Sequence, residues 1–193
     1  MLAEAVENRK LESLVSAIKK ALELGLADTS AEVTKAKVLQ GVLETEGKCT
    51  QRLKDACDAR NLSLINAALQ EAKALDMSGP AVVSANALKG ALEKEEAATV
   101  QLKEAIATKD VQKLSEALGV SGSLGMDTPE VRSARRLMAE LGSKNAATSK
   151  LAALSGSDDV AEIKAAIAEG EGRKLSSSPE MGAAKAQLAR LKE

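Results

Sequence analysis

Apolar residues along this chain recur every three or four positions. Between Val82 and Thr108 the series Val82, Ala85, Leu88, Leu92, Thr99, Leu102 and Ile106 stays close to that spacing, with one step of seven, which lines up one side of a helix of period 3.6 against a core. Val111, Leu114 and Leu118 form a shorter stripe of the same period. Between such segments stand clusters that end in proline: Ser78-Gly79-Pro80, Asp127-Thr128-Pro129 and Ser177-Ser178-Pro179. They read as loops, with Pro at the first position of the helix that follows.

The pattern repeats along the chain. Leu53, Leu102 and Leu151 stand 49 residues apart, as do Thr50, Thr99 and Thr148. Ile65, Leu114 and Ile163 keep the same step, and so do Leu69, Leu118 and Ile167. Ala36, Ala85 and Ala134 follow it, as do Leu43, Leu92 and Leu141, with Ala184 and Leu191 one residue late. At the N-terminal end Leu2, Leu14 and Ile18 precede their partners by 51. The extra residues fall in the loop around Ala27 to Ser30, where a true repeat tolerates them. A fixed period of this kind is the signature of repeat architecture.

Each unit predicts a short helix, a loop and a long helix. The short helix opens on an N-cap candidate, Asn8, Asn61, Asp110 or Asp159, whose side-chain oxygen can accept from a free backbone N–H. Thr128 and Ser178 are placed to cap the long helices. An apolar residue holds the same loop position throughout (Leu26, Met77, Met126, Leu175) and is expected to plug the hairpin tip into the core. The long helix runs from about Val82 to Thr108, roughly 40 Å. Gly47 and Gly142 sit midway along its counterparts, and a continuous helix is favoured over a break that gives three helices per unit. A unit like this cannot bury its apolar face alone. The expected fold is all-α: four degenerate helical-hairpin repeats of about 49 residues, stacked as an α-solenoid with a continuous core. The units cover approximately 1–43, 44–92, 93–141 and 142–193 of a single domain. Both ends of the chain fall inside a unit, so they are expected to cap the array, to dock on a partner or another copy, or to mark a piece of a longer array.

In architecture this resembles the α-solenoids, the broad class of tetratricopeptide, HEAT and armadillo arrays. The unit is longer than the tetratricopeptide period, and the Trp, Tyr and Phe positions of that consensus are unoccupied. Segments such as LKEAIATKDVQKLSEAL followed by PEVRSARRLMAEL are similar in style to degenerate repeats in large predicted proteins of protists and algae. The resemblance implies a fold and identifies no activity.

Composition narrows the chemistry. Apolar residues make up 45% of the 193, while His, Phe, Tyr and Trp are all absent. Without His there is no Ser-His-Asp chemistry, no His-based zinc or haem site and no ordinary pH switch. Without aromatics there is no platform for stacking bases and no aromatic cage for cations. Lys and Arg total 27 against 28 Asp and Glu, a formal net charge of −1. That balance gives no electrostatic reason to expect nucleic acid or an anionic membrane surface. No apolar run is long enough to span a bilayer, and the acidic amphipathic N-terminus lacks the features of a signal peptide.

Cys49 and Cys57 lie eight residues apart in one expected helix. That is roughly 12 Å, too far for a disulfide. Two unpaired thiols fit an intracellular, reducing compartment, cytoplasmic or organellar. Cys57 holds the repeat position of Ile106 and is expected in the core, whereas Cys49 matches Ala98 and is expected to be the more exposed. The segment Gly119-Val-Ser-Gly-Ser-Leu-Gly125 resembles a phosphate-cradling loop, but it lacks the Gly-Lys-Ser/Thr ending and follows no strand. It reads as a frayed helix end, as does Glu169-Gly-Glu-Gly-Arg-Lys174. Asp158-Asp159 and Glu95-Glu96 are adjacent carboxylates, and adjacent residues on a helix do not face each other. Asn61-Leu-Ser63 matches a glycosylation sequon, but capping is the better account of Asn61. Arg132, Arg135 and Arg136 are the densest basic cluster. They belong to the outer face of the third long helix, as candidates for contact with acidic groups of a partner.

These observations favour a non-catalytic protein-interaction or scaffold module, most specifically a structural or accessory subunit of a large assembly. No catalytic, cofactor-binding or metal-ligating residue is assigned, and no cofactor or nucleic acid is expected. Two alternatives remain. One is an enzyme using only Lys, Cys or carboxylates, which predicts a deep pocket with a shifted Lys or Cys pKa. The other is a peripheral lipid-surface binder using the amphipathic segment from Met181 to Leu191.

Overall fold

A computed structural model of the protein describes residues 1–192. All regular structure among the described residues is helical: α1 (Leu2–Asn8), α2 (Leu11–Glu23), α3 (Ala31–Asp58), α4 (Leu62–Ala74), α5 (Pro80–Thr108), α6 (Val111–Ser123), α7 (Pro129–Leu154), α8 (Val160–Gly172) and α9 (Pro179–Arg190). The helices α2, α4, α6 and α8 each have 13 residues, and their starts are 51, 49 and 49 residues apart. Helices α3, α5 and α7 run for 28, 29 and 26 residues. Gly47 and Gly142 lie inside α3 and α7 and break neither.

Local chemistry sets these boundaries. The Asn61 side chain accepts from the Leu64 N–H, Asp110 from Gln112 and Lys113, and Asp159 from Ala161 and Glu162. Ser30, Thr128 and Ser178 cap α3, α7 and α9 in the same way, with Pro in the first turn of α7 and α9. Asn8 does not cap α2: it is the last residue of α1, and Lys10 stands at the N-cap. The repeat step of 51 from Asn61 leads to Lys10, a residue with no acceptor, so the side-chain cap is missing there.

Each short helix ends on a left-handed residue: Gly25 (φ 89°), Asp76 (φ 53°), Gly125 (φ 66°) and Lys174 (φ 63°). The next N–H then donates back to the carbonyl five residues earlier: Leu26 to Ala21, Met77 to Ala72, Met126 to Ser121 and Leu175 to Gly170, at 2.9–3.0 Å. This Schellman geometry satisfies carbonyls that would otherwise be unpaired, and it turns the following apolar side chain back towards the helix. Met77, Met126 and Leu175 pack against buried clusters, as expected of a plug, whereas Leu26 remains 43% exposed.

The chain divides into two compact units, residues 1–94 and 95–193, with α5 contributing its first half to one and its second half to the other. In the first unit, α1, α2 and the start of α3 enclose Ala5, Leu14, Ile18 and Ala36. The end of α3, α4 and the start of α5 enclose Cys49, Leu53, Ala56, Ile65, Ala68, Ala72 and Ala85. In the second unit, the end of α5, α6 and the start of α7 enclose Leu102, Ala105, Leu114, Ala117, Val131 and Ala134. The end of α7, α8 and α9 enclose Leu151, Ile163, Ala166, Ile167, Met181 and Ala184.

A continuous core is therefore not what each unit contains; each holds two separate small clusters joined by a long helix. The long helices show why. Buried positions stop at Ala36, Ala85 and Ala134 and resume at Cys49, Ala98 and Ala147, with no buried residue between. The facing of α5 also differs from its sequence reading. Ala85, Ala98, Leu102 and Ala105 are fully buried, at 1% exposure or less, while Val82, Leu88, Leu92, Thr99 and Ile106 are half-buried. Alanine occupies the tightest contacts because helices approach closely only where side chains are small, and little room then remains for aromatic rings.

Candidate functional site

The packing of a long helix on the following short helix leaves an open groove between them, floored by alanines of the buried cluster. In the first unit, between α3 and α4, the groove has a volume of about 370 Å³ and is lined by Arg52, Asp55, Ala56, Leu64, Ala67, Ala68 and Glu71. Its floor is alanine from both helices, Ala56 and Ala68. Leu64 stands at its lip, 52% exposed. Arg52 and Glu71 bridge one end, with guanidinium nitrogen to both carboxylate oxygens at 2.7 Å. The remaining carboxylate, Asp55, accepts from Gln51 Nε2 at 2.8 Å.

The same positions make a groove elsewhere in the chain. A step of 51 residues back, Met1, Glu4, Ala5, Ser13, Ser16, Ala17 and Lys20 line a groove of about 260 Å³. A step of 49 forward, in the second unit, Gln101, Glu104, Lys113, Glu116, Ala117 and Val120 line one of about 290 Å³. The frame is constant and the lining differs. An alanine of the short helix (Ala17, Ala68, Ala117) forms the floor each time, while the rim changes from Met1 and Lys20, to Arg52 and Glu71, to Gln101 and Val120. In the third case the ion pair moves along the groove to Lys113 and Glu104, 2.8 Å apart. This contact holds the Glu104 carboxyl below the usual carboxylate range and pushes Lys113 up. A further step along, Lys150 and Glu169 repeat the positions of Arg52 and Glu71 and pair at 3.3 Å.

A larger groove of about 390 Å³ lies between α4 and α5 in the first unit. Leu69, Met77 and Val82 form its apolar side, and Asn66, Gln70, Lys73, Asp76, Asn86 and Lys89 its polar side. The carboxamides, ammonium groups and the Asp76 carboxylate offer hydrogen-bond donors and acceptors.

The two thiols exchange the roles read from the sequence. Cys49 is fully buried and Cys57 half-buried, because α3 turns the position shared by Cys49 and Ala98 inward. The Cys49 thiol donates to the Ala68 carbonyl at 3.8 Å. Burial, and then the Glu71 carboxylate, push its pKa up against an opposing effect of Arg52. A raised pKa is the reverse of what activates a cysteine nucleophile.

Arg132, Arg135 and Arg136 lie exposed on one face of the first turns of α7. Arg132 is held by Asp127, its guanidinium donating to the carboxylate and to the backbone carbonyl, each at 3.1 Å. The three do not line the repeated groove. The glycine-rich segments are helix ends, α6 running through Ser123 and α8 through Gly172. Asp159 and Asn61 are caps. The apolar face of α9 is packed inside: Met181 and Ala184 are fully buried, and Leu188 and Leu191 pack on the same cluster. That face belongs to the core and is not open to a lipid surface. Among the described residues no helix is long and apolar enough to cross a membrane, and no group of three His, Cys, Asp or Glu side chains is arranged to hold a metal ion.

The groove residues escape a reading of the sequence alone. The signal is present in the 19-residue separation of Arg52 from Glu71 and of Lys150 from Glu169, but it acquires meaning only once the hairpin turn brings the two helices together. In comparison with known proteins, no family model, curated protein or solved structure matches the chain.

Proposed function

We propose that the protein is a non-catalytic interaction module, an array of four degenerate units of about 49 residues in the manner of an α-solenoid, serving as a structural or accessory subunit of a larger assembly. The observation that carries this reading is the groove between long and short helix, which recurs at the repeat step with the same floor and different rims. A repeated frame with a variable lining suits a surface that reads successive parts of a partner. The partner is protein. The grooves offer aliphatic floors and charges of both signs, and the chain has no aromatic residue of its own, so the large anchoring side chains of the interface come from the other side. Free Cys49 and Cys57 accord with residence in a reducing compartment.

Gentle native fractionation of the source, followed by cross-linking and mass spectrometry, tests the reading. Co-migration in a large complex at fixed stoichiometry is expected, with cross-links to the partner concentrated on the groove lysines Lys20 and Lys113. A chain that runs alone at its own mass of 20.0 kDa, or cross-links spread evenly over the surface lysines, contradicts it.

A further inference from the structure

The long helices join separate buried clusters, and their middles are built unlike their ends. In α3, residues 37–48 contain no fully buried side chain, and the half-buried Leu39 and Leu43 are the hydrophobic residues there that pack on a cluster. Gly41 and Gly47 fall in this stretch, and a Cβ added at either meets nothing within 4 Å. Packing therefore does not call for glycine at these positions, yet glycine inside a helix weakens it about fivefold relative to alanine. Two hydroxyls loosen the same stretch. Thr45 Oγ1 donates to the Gly41 carbonyl and Thr50 Oγ1 to the Glu46 carbonyl, each at 2.8 Å, a local bond that competes with the helical ladder and bends helices. Helix α7 repeats the arrangement with other residues. Positions 135–146 hold no fully buried side chain, only half-buried ones such as Leu137 and Leu141, Gly142 has open space around it, and the neighbouring Ser143 hydroxyl donates to the Glu140 carbonyl at 2.9 Å. A Gly-Ser pair is one of the recognised causes of helix bending.

We infer that α3 and α7 are hinges: each bends about its glycine-bearing middle while remaining helical, so that the clusters at its two ends change their mutual angle within the unit. The clusters supply rigid ends, and the middle, packed only by half-buried leucines such as Leu43 and Leu141, supplies the compliance. Such a joint lets a row of surfaces adapt to a partner of given curvature, but its existence does not depend on the proposed function.

Spin labels on α3 test this in the full chain. With Cys49 and Cys57 both replaced by alanine, as Ala98 and Ala147 already stand at the position of Cys49, labels are attached through Lys35→Cys and Lys54→Cys, both at exposed sites. A rigid helix fixes their backbones roughly 28 Å apart. A broad distance distribution is expected, narrowing when Gly41→Ala and Gly47→Ala are added. Hydrogen exchange supplies a second measurement: amides of residues 41–48 should exchange faster than those of residues 49–56, and each alanine should slow them about fivefold while leaving the amides of α4 unchanged. A narrow distribution at rod length in the chain with both glycines, a distribution that the alanines do not alter, or slowing spread equally over α4 overturns the hinge.

Discussion

At the scale of single residues, the tightest constraint lies in the short helices. A Cβ on Gly170 would lie 2.5 Å from Met181 Cε and 3.0 Å from Leu151 Cδ1. The same repeat position holds Ala21, Ala72 and Ser121, none larger than serine, and the buried Ser121 hydroxyl is satisfied by donating to the Ala117 carbonyl at 2.7 Å. Gly170→Val should therefore lower stability by about 1–3 kcal/mol through overpacking. Gly119→Ala, in open space on α6, should raise it by about 0.5–1 kcal/mol. Urea unfolding of the two variants checks the pair, and a neutral Gly170→Val would mean that the neighbours relax freely. The cysteines give a second contrast. Cys57 should react with a maleimide in the native protein, while Cys49, fully buried, should react only on unfolding. Because burial raises the Cys49 pKa, the folded state holds this proton more tightly than the unfolded chain. That contribution is complete below the ordinary thiol pKa and is lost as pH rises from there through the raised folded pKa. The urea midpoint should fall in alkali, and Cys49→Ala should remove part of that fall; parallel pH profiles for the two proteins would refute the assignment.

At the scale of elements, helix starts are decided by whether the N-cap side chain can accept a hydrogen bond. Asp110→Ala and Asp159→Ala should each cost about 1 kcal/mol, since each removes acceptors from two backbone N–H groups. Lys10 already has the extended backbone of an N-cap, φ −101° and ψ 118°, so Lys10→Asp should stabilise α2 by a similar amount; thermal unfolding followed by circular dichroism reads both directions. Helix starts of this kind were legible in the sequence because the chemistry is local, and the error at Asn8 came from a two-residue slip in the first unit. The alternation of short and long helices was legible from the 49-residue step for the same reason. The facing of the long helices was less so. Alanine fits a core contact and an exposed surface equally well, so the spacing alone favoured Thr99 and Ile106 over Ala98 and Ala105, and with them Cys57 over Cys49. Only the closeness of helix approach separates these choices, and that is a property of two helices together. The groove follows the same logic, because Arg52 and Glu71 meet across a hairpin and share no helical face in the sequence.

At the scale of the whole molecule, the consequence of small separate clusters is that damage should stay local. Leu151 is fully buried with Ile163 and Met181 at one end of α7, and Val131 with Leu102 and Leu114 at the other. Between Ala134 and Ala147 that helix has no fully buried residue, and its half-buried Leu137 and Leu141 pack on the cluster of Val131 alone, so the two groups communicate mainly through the α7 backbone. Leu151→Asp places an unpaired charge among apolar side chains and should cost about 3 kcal/mol or more. That loss removes the contacts that hold α8 and α9, which pack on the second half of α7, whereas α6 keeps every contact it makes with the first half. Hydrogen exchange should accordingly lose protection across residues 147–190 while amides of residues 111–123 retain theirs, and Leu114→Asp should produce the opposite pattern. Uniform loss across the second unit with either variant would mean that the two clusters fold as one cooperative block, with α7 rigid enough to transmit the failure from end to end.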